Sequence, residues 1–488
     1  MSVGDEPPLD LLSSTAAGPA AVRGGALRAG GYLAGAALSA LSAAVLFRHL
    51  GVVDTGRYGL ILSLVAIVGG LSDLGLTAIG VREVTARPAS EARRFLQELL
   101  GLRIVLTVVG VALVLAFSVV AGYAPVVVAG VAIAGVTLLF AGLQSALGIP
   151  LQTSLRLGAL TAAELIRQLI SVGLIIALVS AGGGLLAAVA VGVPAGLVAL
   201  VLTAWLVRHL TSLVPRFAPA AWRALVRSVL PYSLAVLATV LYFRLAIVAV
   251  SLLASPDDLG YFNASFRVVE VLVALPGLFV GAALPIFVRA AHEDDVRLRY
   301  GVARVFDVSL VGGVWVAVVL AVAGKVAIDV IGGPSFAPAA TLLAIQGVAV
   351  AAAFVGTVWG NVLLSLDRQR DILKITLSAL GCGLVLTPAL VAIDGARGGA
   401  IATAVVEVLL ALLGAYFVHH ARPGLLPPMG VVAKVALAAA LACLPAVLTD
   451  LPPLVLGVIA TIIYTIVVLA LRAVPAEVLD VVRRRVSR

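Results

Sequence analysis

Charge is scarce in this chain: 12% of its 488 residues are Asp, Glu, Lys or Arg, about half the share that a soluble protein carries. Most of the sequence must therefore lie where an ionised group is costly, and a soluble globular fold is excluded. Lysine is nearly absent, with arginine outnumbering it thirty to three. That bias reads as a GC-rich bacterial genome and not as a chemical requirement. The two cysteines, Cys382 and Cys443, fall within apolar stretches and read as small core residues. Five histidines are scattered without ligand spacing, His419 and His420 side by side at a helix end, so no metal site and no cofactor is expected. There is no GxxxxGKS/T segment, which excludes nucleotide hydrolysis by the usual phosphate loop. Long polar connections are lacking too, so no catalytic domain outside a membrane is expected.

What fills the chain is apolar sequence, 62% of it. Runs of about twenty such residues recur along the whole length, each enough to cross a hydrocarbon core about 30 Å thick as a helix. The runs are continuous and not alternating, which excludes a β-barrel. The expected fold class is all-α integral membrane with about 14 transmembrane helices. They run from Leu27–Phe47, Tyr58–Val81 and Leu99–Ala121 through Val229–Leu253 and Phe262–Phe287 to a last pair, Val431–Leu448 and Leu454–Leu471. The organisation expected is a flexible cytoplasmic tail at 1–25, a first lobe of six helices at 26–208, and a cytoplasmic linker at 209–228. A second lobe of six helices follows at 229–419, then two helices and a basic tail at 420–488. Residues 1–22 show no secretory-signal design.

The net charge of +9 invites a nucleic-acid partner, but none is expected, because the basic residues sit in short loops beside helix ends. With the N-terminus inside, the cytoplasmic side collects about 25 of the 33 basic residues. They include Arg82, Arg87, Arg208, Arg216, Arg289, Arg297 and the tail residues Arg483, Arg484, Arg485 and Arg488. The outer side receives Arg48, Arg57, Lys325 and Arg397. That asymmetry predicts both termini in the cytoplasm. The longest outer loop expected is Gly324 to Ala339, and Trp222 is an expected interfacial anchor in the inner linker.

Ionised side chains within apolar helices are costly, about 2.5–3.5 kcal/mol each near the bilayer centre, and so mark cavities or partners. Arg244 lies in helix seven without a carboxylate at i±3 or i±4. Arg267 and Glu270 share one face of helix eight, and Glu164 and Arg167 repeat that spacing in helix five. Two readings stand for these pairs: self-neutralised locks between helices, or working groups in a cavity. Asp73, Asp307 and Glu407 lie nearer helix ends or alone. The halves open alike, Phe47-Arg48 … Gly56-Arg57-Tyr58 against Phe243-Arg244 … Leu259-Gly260-Tyr261. That internal repeat sets Arg48 opposite Arg244, so both are expected in one central cavity suited to an anion. Guanidinium forks match phosphate oxygens in particular. Tyr242, Tyr261 and Asn263 are placed to add stacking and hydrogen bonds to a sugar. Glu164, Arg167 and Glu407 are candidates for ion coupling.

The stretch Arg48-His49-Leu50-Gly51 … Gly56-Arg57-Tyr58-Gly59-Leu60, then Asp73-Leu74-Gly75-Leu76 and Val81-Arg82-Glu83, resembles the start of Wzx-type polysaccharide flippases. Leu241-Tyr242-Phe243-Arg244, Leu259-Gly260-Tyr261-Phe262-Asn263-Ala264 and Ala283-Leu284-Pro285 extend the resemblance into the second half. Those proteins belong to the multidrug/oligosaccharidyl-lipid/polysaccharide export superfamily. The resemblance implies two six-helix lobes around a V-shaped cavity, plus two C-terminal helices. It implies alternating access that carries a polyprenyl-(pyro)phosphate-linked glycan from the inner to the outer leaflet of the bacterial cytoplasmic membrane. It also implies that Arg48, Arg57, Arg244 and Arg267 contact the pyrophosphate. One departure is that the interior of the first helix, Gly30 to Leu46, holds no charge. A site with arginines deep in helix one therefore has no counterpart here, and the drug-exporting branch, with coupling carboxylates in the first lobe, is disfavoured.

The expected protein is thus a monomeric transporter in contact with membrane lipids, working beside a polysaccharide polymerase or glycosyltransferases. The alternatives are an integral-membrane glycosyltransferase or polymerase using lipid-linked sugars, which would need outer-loop carboxylates, and a multidrug exporter, whose cationic substrates an arginine-lined cavity would repel.

Overall fold

The structure, a computed structural model, describes residues 17–474 except 74, 155 and 213. Residues 1–16 of the expected flexible tail and the basic tail with Arg483, Arg484, Arg485 and Arg488 lie outside the described residues. Among the described residues every regular element is helical, as a chain in hydrocarbon requires, since a helix pairs its own backbone groups. The first half holds α1 (Ala17–Asp73), α2 (Leu76–Ala86), α3 (Ala89–Val120), α4 (Pro125–Leu147), α5 (Ile149–Thr153), α6 (Leu157–Ser180), α7 (Leu185–Ala190) and α8 (Gly192–Val207). The second holds α9 (Pro219–Leu253), α10 (Pro256–Glu293), α11 (Asp295–Ile331), a 3-10 turn (Pro334–Phe336), α12 (Ala339–Ser365) and α13 (Gln369–Ala421), followed by α14 (Gly430–Leu448) and α15 (Pro453–Ala470).

Among the described residues twelve stretches are long and apolar enough to cross a membrane. Two of these are double. α1 breaks at Gly51 (φ 73°, ψ −177°) and α13 at Asp394 and Gly395 (φ 51°, ψ −132°). Backbone of this kind is open almost only to glycine, and it reverses the chain without a loop. The two arms of α1 run side by side, since Leu38–Phe47 and Tyr58–Ala66 face one cavity. With both arms of α1 and α13 counted, the fourteen expected helices are present. Local details differ from expectation. α9 begins at Pro219, not Val229, because proline is well placed at a helix start. α11 continues to Ile331, so the loop expected from Gly324 shrinks to 332–338 around the 3-10 turn.

The two lobes meet at the end that carries Gly51, the 3-10 turn and Asp394. There the Tyr123 hydroxyl lies 2.7 Å from that of Ser251, and Asn263 Nδ2 donates to the Thr55 carbonyl at 2.9 Å. Backbones also approach closely: a Cβ on Gly260 would stand 2.2 Å from the Val52 carbonyl, and one on Gly56 2.7 Å from the Gly260 nitrogen. Small residues at helix crossings permit such contact, and van der Waals packing is what joins helices in lipid. Two clusters of buried side chains, one around Ile61, Val131, Val250 and Phe262 and one around Leu46, Phe47 and Phe336, span both lobes.

At the opposite end, which carries the arginine-rich connections, the joining piece is the linker. Arg216 donates its backbone N–H to the Gln97 carbonyl (2.8 Å), and Trp222 Nε1 donates to the Glu98 carbonyl (2.9 Å). The start of α9 thereby lies on α3 of the first lobe, with Trp222 and Leu225 packed on Phe95 and Leu99. Trp222, the expected interfacial anchor, also straps the two lobes together. α14 and α15 pack on α11 around Val435, Ala460 and Tyr464.

Candidate functional site

Beneath the sealed end lies a cavity of about 460 Å³. α1, α4, α6, α7 and α8 build most of its wall, and the second lobe contributes Arg244 from α9 with Asn263, Arg267 and Glu270 from α10. Asn263, Arg267 and Glu270 recur at helical spacing and so share one face of α10. That face is turned to α1 because Gly260, on the same stripe, lets the two helices touch.

One carboxylate organises the charge. Glu270 Oε1 lies 2.6 Å from Arg244 Nη1, and its Oε2 lies 3.0 Å from Arg267 Nη1. Arg267 also donates through Nη2 to the Ser39 hydroxyl on the first arm of α1. Arg244, lacking a partner on its own helix, has one on the next; the expectation of an unpartnered arginine is corrected by a contact 26 residues away in sequence. Its guanidinium carbon sits 5.5 Å from the centre of the Phe243 ring. The third guanidinium in the wall is Arg167, held on Glu164 through both Nε (3.0 Å) and Nη2. Gln168 donates to the same Glu164 at 3.3 Å. Three guanidinium groups and one carboxylate, Glu270, thus line the space.

Polar groups with spare hydrogen-bonding capacity surround them. Gln168 Oε1, Thr137 Oγ1 and Ser63 Oγ have no partner among the described residues, and all three residues line the cavity together with Ser39, Ser42 and Ser171. A buried polar atom without a partner costs about 1–3 kcal/mol, and here Gln168 Oε1 and Thr137 Oγ1 are turned to Gly35 and Gly192.

Other expected residues lie elsewhere. Arg48 is exposed at the sealed end and donates to the Asp329 carbonyl at 2.9 Å; it does not face Arg244, because the turn at Gly51 leaves it on the last turn of the first arm. Arg57 pairs with Asp54 at 2.9 Å on the first turn of the second arm, half exposed. Tyr261 packs edge-on against Phe336, ring centres 6.5 Å apart. Tyr242 donates to Glu407 at 3.2 Å in a separate small pocket with Thr387 and Thr403. Glu407 is therefore buried but not alone. Asp73 is not alone either: Arg103, 3% exposed, donates to it and, at 2.8 Å, to Thr77. Asp307 lies 3.5 Å from Arg304. Ser39, Gln168 and Arg103 were not singled out by sequence. The available signal for the first was a pair of hydroxyls, Ser39 and Ser42, on one face of an otherwise uncharged helix.

Among the described residues no group of three or more His, Cys, Asp or Glu is placed to hold a metal ion. No curated protein matches the chain in sequence. Solved structures show what the fold resembles. The structure of the lipid II flippase MurJ in an inward closed conformation superposes with a TM-score of 0.74 at 12% identity, covering 90% of this chain and 97% of that one. An inward-facing multidrug resistance MATE family transporter of the MOP superfamily gives 0.61 at 15% identity, with 80% and 96% covered. The eukaryotic MATE transporter AtDTX14 gives 0.55 at 13%, with 83% and 99% covered. The arrangement of helices is therefore like that of the MurJ flippase and the MATE transporters. Residues 21–291, more than half of the chain and every residue named in the cavity wall, match the family model described as polysaccharide biosynthesis protein. The chain belongs to that polysaccharide biosynthesis protein family.

Proposed function

We propose that this protein is a flippase that carries a polyprenyl-(pyro)phosphate-linked oligosaccharide from the inner to the outer leaflet of the bacterial cytoplasmic membrane by alternating access. On this reading it is a transporter and not an enzyme, it acts as a monomer with both termini in the cytoplasm, and its cargo comes from glycosyltransferases and goes to a polymerase. The observation that carries the proposal is a cavity inside membrane-spanning helices walled by three guanidinium groups, Arg244 and Arg267 both on Glu270 and Arg167 on Glu164. The two guanidinium groups that share Glu270 exceed its charge by one, which leaves a place for an anionic guest beside them. Phosphate oxygens fit the forks, the Ser39, Ser42 and Ser171 side chains in the wall suit sugar hydroxyls, and the prenyl chain stays in lipid. A cationic drug would be repelled by the same wall.

The deciding experiment is flipping of a fluorescent lipid-linked sugar in proteoliposomes. Arg244→Ala should lower the rate by at least about tenfold, the equivalent of losing one charge-assisted contact of 1.5–3 kcal/mol. Arg244→Lys should recover part of it, keeping charge but losing the fork. A wild-type rate in the alanine variant overturns the proposal.

A further inference from the structure

Two side chains of α10 that line the cavity each hold α1, and they hold it on opposite sides of its kink. Arg267 donates to the Ser39 hydroxyl in the first arm. Asn263, one turn earlier, donates to the Thr55 carbonyl in the second arm at 2.9 Å. Gly260, nearly one turn earlier again, presses on the Val52 carbonyl beside Gly51. A single face of the second lobe is thus fastened to both arms of the first. The Asn263 and Gly260 contacts are made to backbone carbonyls and carry no charge. The Arg267 contact differs, because it sets a guanidinium on a neutral hydroxyl although its second N–H already lies on Glu270. A hydroxyl is a weak acceptor for a guanidinium; an anionic oxygen binds it about twice as strongly. The groups facing Arg267 would not resist an exchange, since Glu270 stays bound to both Arg244 and Arg267 whichever acceptor takes the other N–H.

We propose that Ser39 parks Arg267 in the empty protein, and that an anionic headgroup entering the cavity takes Arg267 from Ser39 and so unfastens α10 from the first arm of α1. The inference rests on the flippase reading above and adds how cargo is sensed. Ser39 is a positioning residue that acts through Arg267. Of these three fastenings between α10 and α1, the Ser39 contact is the one whose acceptor an anion can displace: the Asn263 and Gly260 contacts remain, and the loaded cavity is held shut by one bond fewer. A ligand can shift such an equilibrium only by its differential affinity for the two states, and the exchanged acceptor is where the difference arises.

The test places spin labels at Val120→Cys on α3 and Ile393→Cys at the end of the first arm of α13, both exposed and one on each lobe at the sealed end. Cys382 and Cys443 are replaced by alanine. Distances are read by double electron–electron resonance with and without inorganic pyrophosphate, whose binding is measured separately by calorimetry. In the wild type, pyrophosphate should add a longer-distance population to a single short one. Ser39→Ala should show that longer population without pyrophosphate, increased at least severalfold. Ser39→Asp, whose carboxylate competes with the anion, should stay short in both conditions, and Ser39→Thr should restore the wild-type response. If Ser39→Ala fails to fold, Ser39→Asp decides: a wild-type response in it overturns the inference. Pyrophosphate that binds without changing any distance overturns the inference and leaves the flippase reading intact. No binding at all overturns the anion site, and the inference with it.

Discussion

Glu270 serves two guanidinium groups at once, one on each oxygen, and this changes what a substitution does. The i,i+3 spacing of Arg267 and Glu270 alone would suggest that removing Arg267 strands a carboxylate. With Arg244 at 2.6 Å it does not. Arg267→Ala should therefore lower thermal stability in detergent by no more than about 1 kcal/mol, since its side chain is 35% exposed. The double variant Arg267→Ala with Glu270→Ala should be worse, not better. Glu270→Gln should cost on the order of 2 kcal/mol, because it leaves two like charges facing each other with their counter-ion gone. Scanning fluorimetry of the four proteins checks the order; a double variant more stable than Arg267→Ala sinks it. The same pair marks what sequence can reveal about the site. Arg267 and Glu270 are visible as neighbours because helical spacing fixes them on one face. Arg244 and Glu270 sit on different helices, and no spacing rule reports which helix comes alongside.

At the scale of the helix, the break in α1 is the most local determinant of the fold. The stretch between Phe47 and Tyr58, with Arg48, Asp54 and Arg57, reads as a polar loop. The structure instead continues helix up to Gly51 and resumes it at Val52, and the polar side chains are absorbed by an Asp54–Arg57 pair and a backbone carbonyl. The apolar runs were legible because hydrocarbon permits so few spanning conformations. The place of the reversal was legible too, between Phe47 and Tyr58, but not its form, because one glycine in a rare conformation replaces a loop. A Cβ on Gly51 would meet nothing within 4 Å, so the cost of Gly51→Ala is purely conformational, about 1–3 kcal/mol. Asparagine should be no better than alanine there, since ψ −177° lies outside the left-handed helical region that asparagine tolerates. Equal, substantial losses of melting temperature for both variants are expected; a neutral Gly51→Ala would show that the kink is relaxed.

For the molecule as a whole, a lipid pyrophosphate carries about two negative charges, and each is worth roughly 2.3 kcal/mol per 100 mV when moved across the membrane. If the guanidinium cluster stays near the pivot while the lobes rock, a potential negative inside drives the cargo outward by about 4.6 kcal/mol per 100 mV. Proteoliposomes with potassium–valinomycin potentials of either sign should then flip at very different rates. Equal rates would make the step electroneutral and turn attention to Glu164 or Glu407 as proton carriers. A separate consequence follows from the strap formed by the linker. Its two hydrogen bonds to α3, from Arg216 and Trp222, and the packing of Leu225 on the same helix attach α9 to the first lobe without help from the covalent connection. The peptide bonds between Thr211 and Arg216 then carry almost no mechanical duty. A gene split in that interval should yield two polypeptides that find each other in the membrane, co-purify and still flip. Trp222→Ala should be nearly harmless in the intact chain yet lower co-purification of the split one, whose halves are then joined only by the contacts at the Gly51 end.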